Sequence, residues 1–178
     1  VLVIGATGPL GREILAAAKG AGVSVRALAR RPEALQDAGV EIMKGDVRDL
    51  ESLKRAMRGA DAVVSALGTP LILKGPVTLL SEGTGNIVKA MEAEGVSRFL
   101  CVTGMGAGDS RGHGGFVYDR ILLPLLLGRV YADKDRQEAI VRASAQDWTL
   151  VRPGFLKDGP GRGQWREITI WTGKPKMT

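Results

Sequence analysis

The segment Gly5-Ala6-Thr7-Gly8-Pro9-Leu10-Gly11 leaves an apolar run, Val1-Leu2-Val3-Ile4, and enters residues of helical period. Glycines three apart at such a junction have a chemical use. Gly5 permits a sharp turn out of the strand, Gly8 lets an anion reach the backbone with no Cβ in the way, and Gly11 lets the helix pack closely. The start of the helix adds unpaired N–H groups and about half a positive charge. The spacing, G-x-x-G-x-x-G, predicts a strand-turn-helix that holds the diphosphate of a nicotinamide dinucleotide.

Which dinucleotide depends on the end of the second apolar run, Val23 to Ala29, which is followed by Arg30-Arg31. A carboxylate there would accept from a ribose 2′-hydroxyl, whereas a cation would receive a 2′-phosphate. No carboxylate is present, so NADP(H) is expected over NAD(H); the competing reading makes the arginines caps of a surface turn beside Pro32. Asp46, in Gly45-Asp46-Val47, has two readings of equal standing: acceptor for an adenine amino group, or Asx turn toward Asp49.

Groups able to handle protons are few. Thr103 ends an apolar run and is either a polar group at the reacting centre or a hydroxyl capping the next loop. Tyr131 and Lys134 are three apart, which on a helix places both on one face; beside Asp133, Asp135 and Arg136, an exposed tyrosine is the plainer expectation. His113 is the sole histidine, and either donates a proton or is a solvated member of the glycine-rich loop Gly104–Gly115, a candidate lid. Ile121–Leu127 either lines an apolar pocket or packs against the protein or a second subunit. No metal site is expected.

The elements that must position these groups alternate. Expected strands are Val1–Ile4, Val23–Ala29, Val40–Lys44, Ala62–Ala66, Arg98–Thr103 and Trp148–Val151, with a further one at Glu167–Trp171. Expected helices are Leu10–Lys19, Leu50–Arg58, Val77–Glu94 and Asp133–Ala145, with Gly20, Gly59 and Gly95 as left-handed stops. In the third helix Val77, Leu80, Thr84, Ile87 and Met91 define one buried stripe. This pattern is that of an α/β fold: one doubly wound parallel sheet of Rossmann type, with helices on both faces, over residues 1–178.

A chain of 178 residues, 44% apolar, suits one core and one domain. It starts without methionine on a strand and stops after a bare strand, so a clipped N-terminus and a missing C-terminal helix are expected. Cys101 is the only cysteine and lies in an apolar run, which predicts a reduced, buried thiol and a cytoplasmic protein. No apolar stretch approaches the roughly 20 residues of a membrane span. The net charge of +6 is scattered among acids without aromatic interleaving, which argues against nucleic acid. A small-molecule partner is expected, with the chain a monomer or homodimer.

Taken together, Gly5-Ala6-Thr7-Gly8-x-x-Gly11, Val25-Arg26-Ala27-Leu28-Ala29-Arg30, Gly45-Asp46-Val47-x-Asp49, Asp61 to Gly68, Ser81-Glu82-Gly83-x-x-Asn86 and Trp148-Thr149-Leu150-Val151-Arg152-Pro153-Gly154 resemble the atypical short-chain dehydrogenase/reductases. The resemblance is to the NAD(P)H-binding branch of NmrA-like proteins and the flavin reductase/biliverdin-IXβ reductase group. It implies Gly5, Ala6, Thr7, Gly8, Pro9 and Leu10 around the pyrophosphate, Arg30 at the 2′-phosphate, and Asp46 and Val47 at the adenine. It further implies Leu67 and Gly68 under the ribose with Ala66 preceding them, Val102 and Thr103 near the nicotinamide, and Pro153, Gly154 and Phe155 at the carboxamide. The chain departs from the resemblance in lacking the Tyr-x-x-x-Lys pair of the wider superfamily, and Gly104 and Gly154 stand where the flavin reductase group has a serine and a histidine. Without that tyrosine an isolated ketone would lack a positioned acid. The expected activity is therefore NADPH-dependent hydride transfer to a conjugated acceptor such as a flavin, quinone or tetrapyrrole. The alternative is an NmrA-like protein that senses the cofactor without turnover.

Overall fold

The structure, a computed structural model, describes residues 1–70, 76–112, 120–121, 127–154 and 156. Among the described residues six parallel strands form one sheet: β1 (Leu2–Ile4), β2 (Arg26–Ala29), β3 (Glu41–Lys44), β4 (Ala62–Ser65), β5 (Arg98–Val102) and β6 (Asp147–Val151), in the order β3-β2-β1-β4-β5-β6. The order reverses direction between β1 and β4, which pair Ile4 with Ser65, and a ligand cleft is expected at the carboxyl ends of strands flanking such a point.

Alternation along β1 divides the core. Leu2 and Ile4 face one side with Leu28, Val63, Phe99 and Cys101, beneath α2 (Leu50–Met57), α3 (Leu79–Glu94) and α4 (Gly128–Ala143). Val3 faces the other with Ala27 and Ala29, beneath Leu15 of α1 (Pro9–Gly20). Helices on both faces make this the doubly wound Rossmann arrangement expected from the sequence. The predicted stripe of α3 is buried along its length, from Val77 just before the helix to Met91.

Helix ends follow local chemistry. Asp49 caps α2 by accepting from the N–H groups of Glu51 and Ser52 at 3.0 and 3.3 Å. Gly59 and Gly95 adopt φ of +70°, as expected for stops. Gly20 does not; it is the last residue of α1, and the left-handed position falls on Gly22 at φ +69°.

Three boundaries differ from expectation. β2 begins at Arg26, after the Gly22 turn, and Val23 is exposed. A 3-10 helix, Pro32–Ala38, follows β2 and had no periodic signal. α4 starts at Gly128, five residues before the expected Asp133, because its inner face buries Asp133, Gln137 and Glu138 with Val130, Tyr131 and Val141; polar residues turned inward give no hydrophobic period. No helix among the described residues is long and apolar enough to cross a membrane. The expected strand at Glu167–Trp171 and most of the Ile121–Leu127 run lie outside the described residues.

Candidate active site

A cleft of about 670 Å³ opens over the carboxyl ends of the strands, within the roughly 300–1,000 Å³ usual for small-molecule sites. The β1–α1 turn forms one wall. Gly5 sits at φ +82°, and a Cβ there would lie 2.4 Å from the Ala66 carbonyl oxygen; one on Gly11 would lie 2.3 Å from the Gly5 oxygen. Packing therefore accounts for both glycines. It does not account for Gly8, whose backbone is ordinary extended chain (φ −74°, ψ 163°) and whose Cβ would meet only the Gly5 oxygen, at 3.5 Å.

Gly8 is also the N-cap of α1 and carries no side-chain cap. Its own N–H returns to Gly5 and Pro9 has none, so the N–H groups of Leu10 and Gly11 have no protein acceptor among the described residues. A helix start with spare donors, no acid in its first turn, and backbone bare for no reason of its own fits a dinucleotide diphosphate. Thr7, Gly8, Pro9 and Leu10 line the cleft, whereas Ala6 is fully buried on the far side of the turn, in the core beneath α1.

At the end of β2, Arg30 is exposed and lines the cleft beside Gly45, Asp46 and Val47. The Asx reading of Asp46 is realised: its Oδ1 accepts from Arg48 N–H at 3.0 Å, and the Ser52 hydroxyl braces its main chain. Val47 and Leu67 form an apolar floor whose fit depends on α3. A Cβ on Gly83 would lie 3.0 Å from Val47 Cγ2 and 3.2 Å from Leu67 Cδ1, and Asn86 Nδ2 donates to the Val47 carbonyl at 3.0 Å. The Gly83-x-x-Asn86 spacing thus has a physical purpose, to seat this floor.

The opposite end lies beyond β5 and β6. Lys134 Nζ donates to the Thr103 carbonyl at 2.6 Å, and Tyr131 donates its hydroxyl proton to the Met105 carbonyl at 2.9 Å. A Cβ on Gly104 would stand 3.2 Å from the Tyr131 hydroxyl and 3.7 Å from Lys134 Nζ, so the bare backbone of Gly104 faces both groups. Tyr131 is thus not the exposed residue its charged neighbours suggested; it is buried, and it lines the cleft with Lys134. Burial lowers the Lys134 pKa, opposed by the negative charges of Glu138 and Asp133.

Thr103 lines the cleft and donates its hydroxyl to Glu138 Oε1 at 2.7 Å, so the side chain braces the strand end against α4 and does not cap the next loop. Glu138 is buried and receives Arg152 bidentately, at 2.8 Å (Nε to Oε1) and 2.5 Å (to Oε2). Arg152 also pairs with Asp109 at 2.5 Å.

The glycine-rich loop is tied down over its first half, where Gly108 N–H and Arg111 both reach Asp135, at 2.8 and 2.6 Å, and Asp109 pairs with Arg142 at 3.2 Å. These contacts join residues 108–111 to α4. His113 and Phe155 lie outside the described residues. The other residues expected at the dinucleotide, Ala66, Leu67, Gly68, Val102, Thr103, Pro153 and Gly154, all line the cleft. Leu127, from the run expected either to line an apolar pocket or to pack, lines the cleft. Sequence reasoning missed Pro70, Leu79, Met105, Val130 and Leu156, which also line it, and the Glu138–Arg152 pair; the Arg152-Pro153-Gly154 signature was the one available hint.

The profile of the NAD(P)H-binding family matches residues 5–175, and the protein belongs to that family. It is similar to the uncharacterized sugar epimerase YhfK of Bacillus subtilis, 29% identical over 170 residues that cover 92% of this chain and 75% of that protein. It is also similar to the NAD(P)H azoreductase of Xenophilus azovorans, 29% identical over 159 residues, 88% of this chain and 48% of that protein. Among solved structures, the anaerobillin reductase ChuY of Escherichia coli O157:H7 superposes with a TM-score of 0.74 at 25% identity, over 91% of this chain and 76% of that one. A short-chain dehydrogenase/reductase of Veillonella parvula solved with NADP shares the fold, with a TM-score of 0.71 at 16% identity over 89% of this chain and 70% of that one. The chain spans about half the length of the azoreductase it matches.

Proposed function

We propose that the protein is an NADPH-dependent reductase of an extended conjugated acceptor such as a flavin, quinone, azo compound or tetrapyrrole. The observation that carries this reading is the meeting of Tyr131 and Lys134 at Gly104, in an otherwise apolar end of the cleft. When bound, the nicotinamide supplies hydride. The amides of Leu10 and Gly11 hold the diphosphate, Arg30 receives the 2′-phosphate, and Val47 and Leu67 support the adenosine half.

Tyr131 delivers a proton to the acceptor heteroatom that gains charge, and solvent restores it. The Lys134 ammonium, fixed on the Thr103 carbonyl, stabilises that charge as it develops. Leu79, Leu127 and Val130 exclude water and stack against a flat substrate. The names of the azoreductase and anaerobillin reductase relatives agree with a reductase.

NADPH oxidation followed with FMN, a quinone, an azo dye and a linear tetrapyrrole tests the reading. Turnover on at least one is expected, with Tyr131→Phe lowering kcat by about 10²-fold or more and leaving NADPH affinity unchanged. Tight NADPH binding with no turnover on any of the four would leave the sensor.

A further inference from the structure

We propose that Glu138, which does not line the cleft, is a positioning residue that fixes Lys134 toward the acceptor and keeps its amine protonated. The proposal rests on the reading of Lys134 given above. Glu138 is 2% exposed and occupies α4 one turn beyond Lys134. Its Oε1 accepts the Thr103 hydroxyl at 2.7 Å, while the carbonyl of that same Thr103 accepts Lys134 Nζ at 2.6 Å. One residue at the end of β5 is therefore gripped at its side chain by the carboxylate and at its main chain by the ammonium. Moving the carboxylate moves the atom that aims the amine.

A buried carboxylate is a costly way to hold a threonine, because an amide would accept the same hydrogen bond without a charge to desolvate. The charge has a second use. Around Lys134 are Asp133, Tyr131 and Glu138 on α4, Cys101 on β5, and beyond Glu138 the side chain of Arg152, the residue after β6. Asp133 is committed to Leu80 N–H and the Ser81 hydroxyl, at 2.8 and 2.5 Å, and to Arg136. Cys101, pushed by burial up to about 12, is a neutral thiol and carries no charge. Glu138 and Asp133 are the anions that counter the burial that lowers the Lys134 pKa, with Glu138 the stronger of the two. Gly108 makes room for it, since a Cβ there would lie 2.4 Å from Glu138 Oε2.

The test is the titration of Lys134, followed by the ¹³Cε resonance that vanishes in Lys134→Met, in wild type, Glu138→Gln and the double variant Glu138→Gln/Arg152→Gln. In Glu138→Gln the anion is lost while Arg152 keeps its pair with Asp109, so the Lys134 pKa should fall further. The double variant removes the Arg152 cation together with the anion it met, serves if the single variant does not fold, and should shift in the same direction by less. With NADPH and an acceptor, the alkaline limb of kcat should move to lower pH by the same amount, with KM for NADPH unchanged. A Lys134 titration that stays at its wild-type position in a folded variant overturns the proposal. Failure of the underlying reading looks different: the Lys134 resonance still shifts, but Lys134→Met retains wild-type kcat.

Discussion

Gly8→Ala separates two reasons for a glycine, one belonging to the fold and the other to the ligand. At φ −74° and ψ 163° alanine needs no strained backbone, and its methyl would find the Gly5 oxygen at 3.5 Å, an ordinary contact. Lower entropy of the unfolded chain favours the variant by about 0.4–1 kcal/mol, and the poorer N-cap opposes it by some tenths of a kcal/mol. The net change is close to zero, so the melting temperature should stay within about 2 °C of wild type. The methyl instead projects where an anion must approach Leu10 and Gly11. NADPH affinity should fall at least tenfold, or about 1.4 kcal/mol, and the thermal shift on adding NADPH should shrink with it.

Gly11→Ala is the opposite case. Its methyl would lie 2.3 Å from the Gly5 oxygen and 2.7 Å from Ala6 Cα, both main-chain atoms that a side-chain rotation cannot relieve. Overpacking of this kind costs about 1–3 kcal/mol, so this variant should melt several degrees lower even without coenzyme. Scanning calorimetry with and without NADPH, together with isothermal titration, measures both quantities on both variants. A Gly8→Ala protein that binds NADPH as tightly as wild type would remove the diphosphate from this turn. One that is itself destabilised would show that Gly8 serves the fold.

Arg30→Ala should weaken NADPH by more than tenfold, about 1.4 kcal/mol, while changing NADH by less than threefold; equal losses in a titration with each coenzyme would show that Arg30 does not read the 2′-phosphate. Asp133 caps α3 from α4, since Thr78 provides no side-chain cap. Asp133→Ala should cost about 3 kcal/mol in urea unfolding, with Asp133→Asn costing less, and a loss under 1 kcal/mol would refute the cap. Cys101 is raised from 9.0 to about 12, so between those values the unfolded chain releases a proton that the folded chain keeps. Stability should therefore fall as pH rises through that window, by up to about 1.4 kcal/mol per unit. Lys134, lowered by burial from 10.5, acts in the reverse sense, so the comparison is with Cys101→Ala, which should lose less stability between pH 9 and 11; parallel curves would count against the burial account.

The parts of the molecule legible in the sequence are those where one physical demand acts on neighbouring residues. The apolar run of β1, the stripe of α3 and the turn at Gly5 each express a local pattern or a backbone constraint, and all three appear where expected. The candidate site was legible at its glycine-turn end for the same reason, because strand, turn and helix start are contiguous. Its other end is assembled from residues distant in the chain. Thr103, Lys134, Glu138 and Arg152 meet only through the pairing of β5 with β6 and the packing of α4 above them. Polar groups that satisfy one another inside α4 erase the apolar period by which a buried face is recognised. Asp133-Lys134-Asp135-Arg136 consequently reads as a solvated run, although Asp133 is fully buried and Lys134 lines the cleft. A charged run two residues after a tyrosine was therefore a poor guide to exposure, because the partners that make burial tolerable, Ser81 for Asp133 and Thr103 for Lys134, lie tens of residues away along the chain.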